Sequence, residues 1–520
     1  MMTPDTQVDH SSHHILPLKA ERFAHSVTCS GIMEVVSIYL LLCTVLSVTA
    51  LVPKPFNTTL ENDVFIISDR LELHHEYSKC NILYEAGRRL TDRLRLRHTS
   101  TDNLGEPIGM ITSVHISIVK GCDESKGIIW PYESMNEDYC MLVADNEIIL
   151  EAEEIWGALH GLETIAQLVH RSHTQTVIKI CAVASIFAAS NPSSVYRRQT
   201  TLSSPRFPYR YIEALSGLTA YFPVCGMFCP THLSVYLRSI FSNKDAMAMV
   251  KMNLLHWRIV DNSSFPYSSY TFPELARKGA YDPEAYVYTQ DDVKRVLDYC
   301  RLRGIRVMPE FATPVNSDFL LFHFAAFPLK GYAYSWGKGY PDLLTKCYSD
   351  GKPNGRLGPV NPITDYTYNF MQQFVHEIKT VFKDPLVHLG GDAADFSCWA
   401  SNPEIEEFMQ KMEFGKDYSK LQRYYLEKLN DYLAGNNNVS EKTAVFRQGP
   451  MDYDSKPGNK IVIHVWKNEI WQQEMFRITK AGFPVILSSN WYLNMIEYGV
   501  DWPRFYNLDP SDFGGELRLW

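Results

Sequence analysis

LLHWRIV at residues 254–260 and IRVMPEF at residues 305–311 frame TQDDVKRVLDYCRLR at residues 289–303. The outer pair are short apolar runs and read as strands, while the middle segment reads as a helix. Thr289 and Asp292 stand three apart, the spacing of a capping box, and Gly304 supplies the stop. Strand, helix and strand in that order predict a parallel βα unit.

The same rhythm runs from about Phe207 onward. Residues 370–382 form a helix with Phe370, Phe374, Ile378 and Val381 on one face. LVHLG at 386–390, IVIHVW at 461–466 and FPVILS at 483–488 add three strands. Repeated βα units predict a (β/α)8 barrel over residues 207–520, with its chemistry at the carboxyl ends of the strands. Before it, residues 57–172 read as a small α+β domain. SVHISIV at 113–119, YCMLV at 139–143 and EIIL at 147–150 are its strands. Residues 152–170 form an amphipathic helix carrying Ile155, Leu159, Leu162, Ile165 and Val169, which covers the sheet. Residues 173–206 and 318–334 lack helical or strand periodicity over their lengths, and the first is expected to be an irregular linker or insertion. No internal repeat is found.

Length, charge and cysteines bound the rest. A chain of 520 residues calls for two domains. A net charge of −9 gives no reason to expect a nucleic-acid partner. Residues 35–52 (VVSIYLLLCTVLSVTALV) are apolar and uncharged and end in Val48-Thr49-Ala50, a pattern of the signal-peptidase type. Residues 1–50 are therefore read as an N-terminal extension with a signal peptide, a signal anchor being the alternative. Asn57-Thr58-Thr59, Asn262-Ser263-Ser264 and Asn438-Val439-Ser440 are glycosylation triplets that suit this route. Of eleven cysteines, two precede the expected cleavage point, and an odd number remains. Cys225 and Cys229 lack a second ligand pair, so no metal site is expected.

Five motifs in order carry a family resemblance: Trp156–Thr164 (WGALHGLET), His256–Pro266 (HWRIVDNSSFP), Gly304–Phe311 (GIRVMPEF), His388–Asp392 (HLGGD) and Trp491–Asn494 (WYLN). Together they resemble glycoside hydrolase family 20, the lysosomal β-N-acetylhexosaminidase type. The resemblance implies a substrate-assisted retaining mechanism needing no cofactor. In it the 2-acetamido oxygen of a terminal β-linked N-acetylglucosamine or N-acetylgalactosamine attacks its own anomeric carbon, an exception to the two-carboxylate scheme. An aspartate orients the acetamido group, and the adjacent glutamate protonates the leaving oxygen. Here that pair reads Asp392-Ala393.

The resemblance also places Arg210, Asp261, Trp466, Trp491 and Asn494 around the sugar, and Tyr492 as donor to the acetamido carbonyl. It pairs Cys80 with Cys122 and Cys347 with Cys398. Further departures surround the missing acid: Ala312 and Asn316 replace an aspartate and a histidine that support the catalytic pair. Arg447 replaces a pocket tryptophan, and Met495 an arginine. Gly514-Gly515-Glu516 reads either as the start of the eighth strand or as the loop before it, so a C-terminally truncated barrel with that strand missing or incomplete is expected.

Three functions follow from the resemblance: an N-acetylhexosaminidase impaired at Ala393, a non-catalytic binder of N-acetylhexosamine glycans, or a structural partner in a homo- or heterodimer. The expected location is the secretory pathway, lysosomal or secreted.

Overall fold

The computed structural model describes residues 57–96, 99–100, 107–144, 146–172, 178–187, 211–215, 245–260, 264–314, 334–391, 396–434, 443–447, 461–467, 470–489, 491 and 499–515. Seven strands build the first sheet: β1 (Asn57–His74), β2 (Thr99–Ser100), β3 (Pro107–Ile118), β4 (Tyr139–Ala144), β5 (Glu147–Ala152), β6 (Val169–Ser172) and β7 (Ile178–Phe187). On β5, Ile148, Leu150 and Ala152 are buried while Ile149 and Glu151 face solvent, as a sheet covered on one face requires. Helices Asn81–Leu96 and Ile155–Leu168 lie in the core beneath it. The second helix is buried nearly all round. Gly157 lets its backbone approach the Asp138 carbonyl, and Gly161 lies against Leu150.

The irregular linker expected over residues 173–206 is corrected by β7. It pairs antiparallel with β1, from Asn57 opposite Phe187 to Ile67 opposite Ile178. Its sequence IKICAVASIF is apolar at successive positions, so it shows no period of two to read.

The second sheet contains β8 (Tyr211–Leu215), β9 (Leu254–Arg258) and β10 (Arg306–Thr313). An antiparallel hairpin, β11 (Leu344–Ser349) and β12 (Lys352–Val360), stands apart from it. The sheet continues with β13 (Leu386–Gly390), β14 (Thr443–Arg447), β15 (Ile461–Val465) and β16 (Val485–Leu487). All six of its pairings are parallel, and the strands follow chain order. Among the described residues seven strands are present, and none pairs β16 to β8. Residues 509–515 form turns and bends with Phe513 buried, which assigns them to a loop rather than to an eighth strand.

Period-two alternation sorts the side chains of this sheet into two faces. Leu255, Trp257, Val307, Phe311, Val387, Leu389 and Ile463 join the large cluster under the helices. Leu254, Met308, Leu386, Val445, Val462 and Ile486 form a separate apolar layer on the other face. Two residues further along their strands come His256, Glu310, His388, His464 and Ser488. One strand period thus separates an apolar layer from a polar one, which is the layered filling of a barrel interior.

The helix between β9 and β10 runs Gln290–Arg301, and both halves of its capping box form. Thr289 Oγ1 accepts from the Asp292 N–H at 3.2 Å, and the Asp292 carboxylate accepts from the Thr289 N–H at 3.1 Å. Below β9 and β10, the first domain grips this region through buried polar contacts. Lys251 Nζ donates to Tyr139 and Thr164, and Arg89 donates to the Leu302 carbonyl at 2.8 Å.

A candidate glycosidase site at the strand ends

The carboxyl end of β13 is bent by two glycines. Gly390 and Gly391 have φ of 75° and 89°, the left-handed region that side chains disfavour. A Cβ on Gly390 would stand 2.8 Å from Ala312 Cα, so the neighbouring strand also demands glycine there. The Gly391 N–H donates to the Thr313 carbonyl at 3.0 Å, fixing the bend to β10. Thr313 in turn shares a 2.6 Å hydrogen bond with the buried Tyr425 hydroxyl, whose pKa burial pushes up. The chain therefore leaves β13 in a set direction immediately before Asp392.

A disulfide, Cys347–Cys398, ties hairpin β11–β12 to helix Ser397–Ser401 beyond the bend. Gly358 packs against Cys398, and Trp399 Nε1 donates to Thr345 Oγ1 at 3.2 Å and to the Val360 carbonyl at 3.3 Å. On the far side of the sheet, Trp466 follows β15 with Lys467 Nζ 5.8 Å from its ring centre. Trp491 follows β16, and its Nε1 donates to the Phe505 carbonyl at 3.2 Å, securing it to helix Trp502–Asn507.

Beneath the strand ends lies the polar layer, in which His256, Glu310, His388 and His464 are almost wholly excluded from water and Ser488 is partly buried. His256 Nε2 is 2.7 Å from Glu310 Oε2, and Arg258 Nε is 3.7 Å from Glu310 Oε1. His388 Nδ1 stands 3.5 Å from the same Oε2. These three side chains bring ligand-type atoms within 4.8 Å of one another. However, the Gly390 N–H already donates to His388 Nδ1 at 3.0 Å, and Glu310 Oε2 lies at hydrogen-bond distance from His256. His388 Nδ1 is thus already hydrogen-bonded and His256 lies in close contact with Glu310, so we read the cluster as a packed polar layer.

Of the residues placed around the sugar, Trp466 and Trp491 are described, both partly buried at the strand ends. Arg210, Asp261, Asp392, Ala393, Tyr492 and Asn494 lie outside the described residues. Cys80 and Cys122 form a disulfide with Cα atoms 5.4 Å apart, as Cys347 and Cys398 do at 4.7 Å. Cys140 and Cys300 stand outside these two disulfides. The polar layer was missed by sequence reasoning, although a His or Glu inside a fully apolar strand is the signal that reveals it.

Parallel strands around a layered interior, with a glycine-bent fourth strand and flanking tryptophans at the carboxyl ends, define a barrel-type protein whose site belongs at those strand ends. The comparisons make the class specific. A profile described as the glycosyl hydrolase family 20 catalytic domain matches residues 235–509, and one described as beta-acetyl hexosaminidase like matches residues 51–168. The beta-hexosaminidase subunit beta of Felis catus is 38% identical over 457 residues, covering 85% of this chain and 75% of the relative. The subunit beta of Homo sapiens is 40% identical over 405 residues, covering 78% of this chain and 63% of the relative. The subunit alpha of Bos taurus is 38% identical over 468 residues, covering 85% and 76%. Among solved structures, a chitobiase of Flavobacterium johnsoniae aligns with a TM-score of 0.61 at 21% identity, over 86% of this chain and 60% of that one. A β-N-acetylhexosaminidase of Streptomyces coelicolor aligns at 0.58 and 16% identity, over 90% and 83%. The chain belongs to glycoside hydrolase family 20.

Proposed function

We propose that this chain recognises terminal β-linked N-acetylglucosamine or N-acetylgalactosamine on glycoconjugates, and that its hydrolysis of them is impaired at Ala393. One observation carries the reading: within the matched family segment, the residue after Asp392 is a methyl group where the resemblance calls for a carboxylic acid. A general acid of this kind is worth about 10²–10⁴ in rate. Ala394 cannot replace it, and Asp395 lies three residues past Asp392.

The roles follow the resemblance. Asp392 orients the acetamido N–H and stabilises the intermediate formed by its carbonyl oxygen. Tyr492 donates to that oxygen, Arg210, Asp261 and Asn494 hold sugar hydroxyls, and Trp466 and Trp491 offer apolar faces. Glycan binding without turnover is what such a site does once its acid is removed. The relatives named as hexosaminidase subunits support a homo- or heterodimer and a lysosomal or secreted location, and two disulfides suit an oxidising compartment. No helix among the described residues is long and apolar enough to cross a membrane.

The test is a chromogenic N-acetyl-β-glucosaminide given to the secreted protein, with N-acetylglucosamine binding measured in parallel by calorimetry. Binding without turnover supports the reading. Turnover within about tenfold of an intact family member overturns the impairment, since the missing acid alone accounts for more. Absence of both binding and turnover overturns the recognition role.

A further inference from the structure

Three side chains of the polar layer form a directed chain. The Gly390 N–H can only donate, so His388 Nδ1 accepts it at 3.0 Å. A neutral imidazole whose Nδ1 accepts carries its proton on Nε2. His388 Nε2–H therefore donates to His464 Nδ1 at 3.1 Å. By the same logic His464 carries its proton on Nε2 and donates to Ser488 Oγ at 2.7 Å. The Ser488 carbonyl then accepts the Trp491 N–H at 3.3 Å. One tautomer of each ring satisfies every link.

This chain crosses from β13 over β15 to the end of β16. One end holds the backbone of the Gly390–Gly391 bend, and the other holds the turn that carries Trp491. We infer that His388, His464 and Ser488 are positioning residues that set the Gly390–Gly391 bend and the Trp491 turn relative to each other across the mouth of the sheet. The inference rests on the sugar-binding role proposed for that mouth. His464 is the central member, because it alone accepts from one strand and donates to the other.

His464→Leu removes both links, and His464→Gln restores them, since its amide has an acceptor oxygen and donor nitrogens. Ser488→Ala breaks only the terminal link at a partly buried position, which keeps the test available if His464→Leu does not fold. Two readouts are taken on each folded variant: N-acetylglucosamine affinity, and hydrogen exchange of the peptide spanning residues 386–391.

His464→Leu and Ser488→Ala are expected to speed exchange of the Gly390 segment. They should also weaken binding by about threefold to tenfold, the worth of one hydrogen bond. His464→Gln should stay near the parent in both. Unchanged exchange at 386–391 in Ser488→Ala and His464→Leu overturns the inference whether or not sugar binds. Faster exchange in a protein that binds no sugar in any form sustains the strap and sinks only the recognition role.

Discussion

Replacing Gly390 by alanine tests whether the bend before Asp392 is imposed by the fold. Two costs are set by geometry. With φ at 75°, a Cβ meets the left-handed penalty of about 1–2 kcal/mol. That Cβ also stands 2.8 Å from Ala312 Cα, 3.0 Å from Ala312 Cβ and 3.1 Å from the Thr313 nitrogen, all on a buried neighbouring strand. Overpacking against backbone adds about 1–3 kcal/mol. Gly390→Ala should therefore lose about 2–5 kcal/mol in stability, the sum of the two. Gly482 provides the control. Its φ is 91°, but a Cβ there meets nothing within 4 Å, so Gly482→Ala should lose only the conformational part, about 1–2 kcal/mol. Urea unfolding followed by circular dichroism and tryptophan fluorescence measures both. Equal losses in the two variants, within about 0.5 kcal/mol, refute the claim that β10 presses on the bend.

Other perturbations have equally definite expectations. Serines at both Cys347 and Cys398 open a loop of 51 residues, so unfolding should become easier by about 4 kcal/mol in the loop-entropy model. Thermal unfolding checks this, and an unchanged midpoint contradicts it. Arg306 grips Asp384 through two hydrogen bonds, 2.6 and 3.1 Å, with both side chains excluded from water. Asp384→Asn leaves that guanidinium charge uncompensated, so denaturant titration should show a loss of about 3–5 kcal/mol. Burial pushes the Cys140 thiol up to about 12, with the Glu151 charge adding to it. At pH 8 only about one thiol in 10⁴ is ionised, so alkylation should be slow and should keep rising tenfold per unit up to pH 10. A rate that levels off near pH 8.5 rejects this picture.

Much of the barrel was legible because its elements announce themselves locally. The helix Gln290–Arg301 was readable from Thr289, Asp292 and Gly304, and the strand Leu386–Gly390 from a short apolar run broken only by His388. Helix Asp365–Val381 begins five residues before its expected start at Phe370. Its first turn is held by Thr364, whose Oγ1 accepts from the Thr367 N–H, and the apolar face that betrays a helix starts only later. The hairpin β11–β12 was unread because its tip is fully exposed, leaving no apolar alternation there to read. Strand β7 escaped because a run apolar on both faces has no alternation.

The site divides in the same way. The Gly390-Gly391 bend was visible as a motif, yet its cause is the approach of Ala312 from β10, a contact far away in sequence. The polar layer needed register: only when the strands are aligned do His256, Glu310, His388, His464 and Ser488 fall at one level, each two residues beyond an apolar layer member.

Ala393 is the residue proposed to separate recognition from hydrolysis in this chain. The most direct measurement compares the parent with Ala393→Glu on one chromogenic N-acetyl-β-glucosaminide, both verified to bind N-acetylglucosamine equally. The parent should turn over about 10²–10⁴-fold more slowly than Ala393→Glu. A parent that hydrolyses the substrate as fast as Ala393→Glu contradicts it.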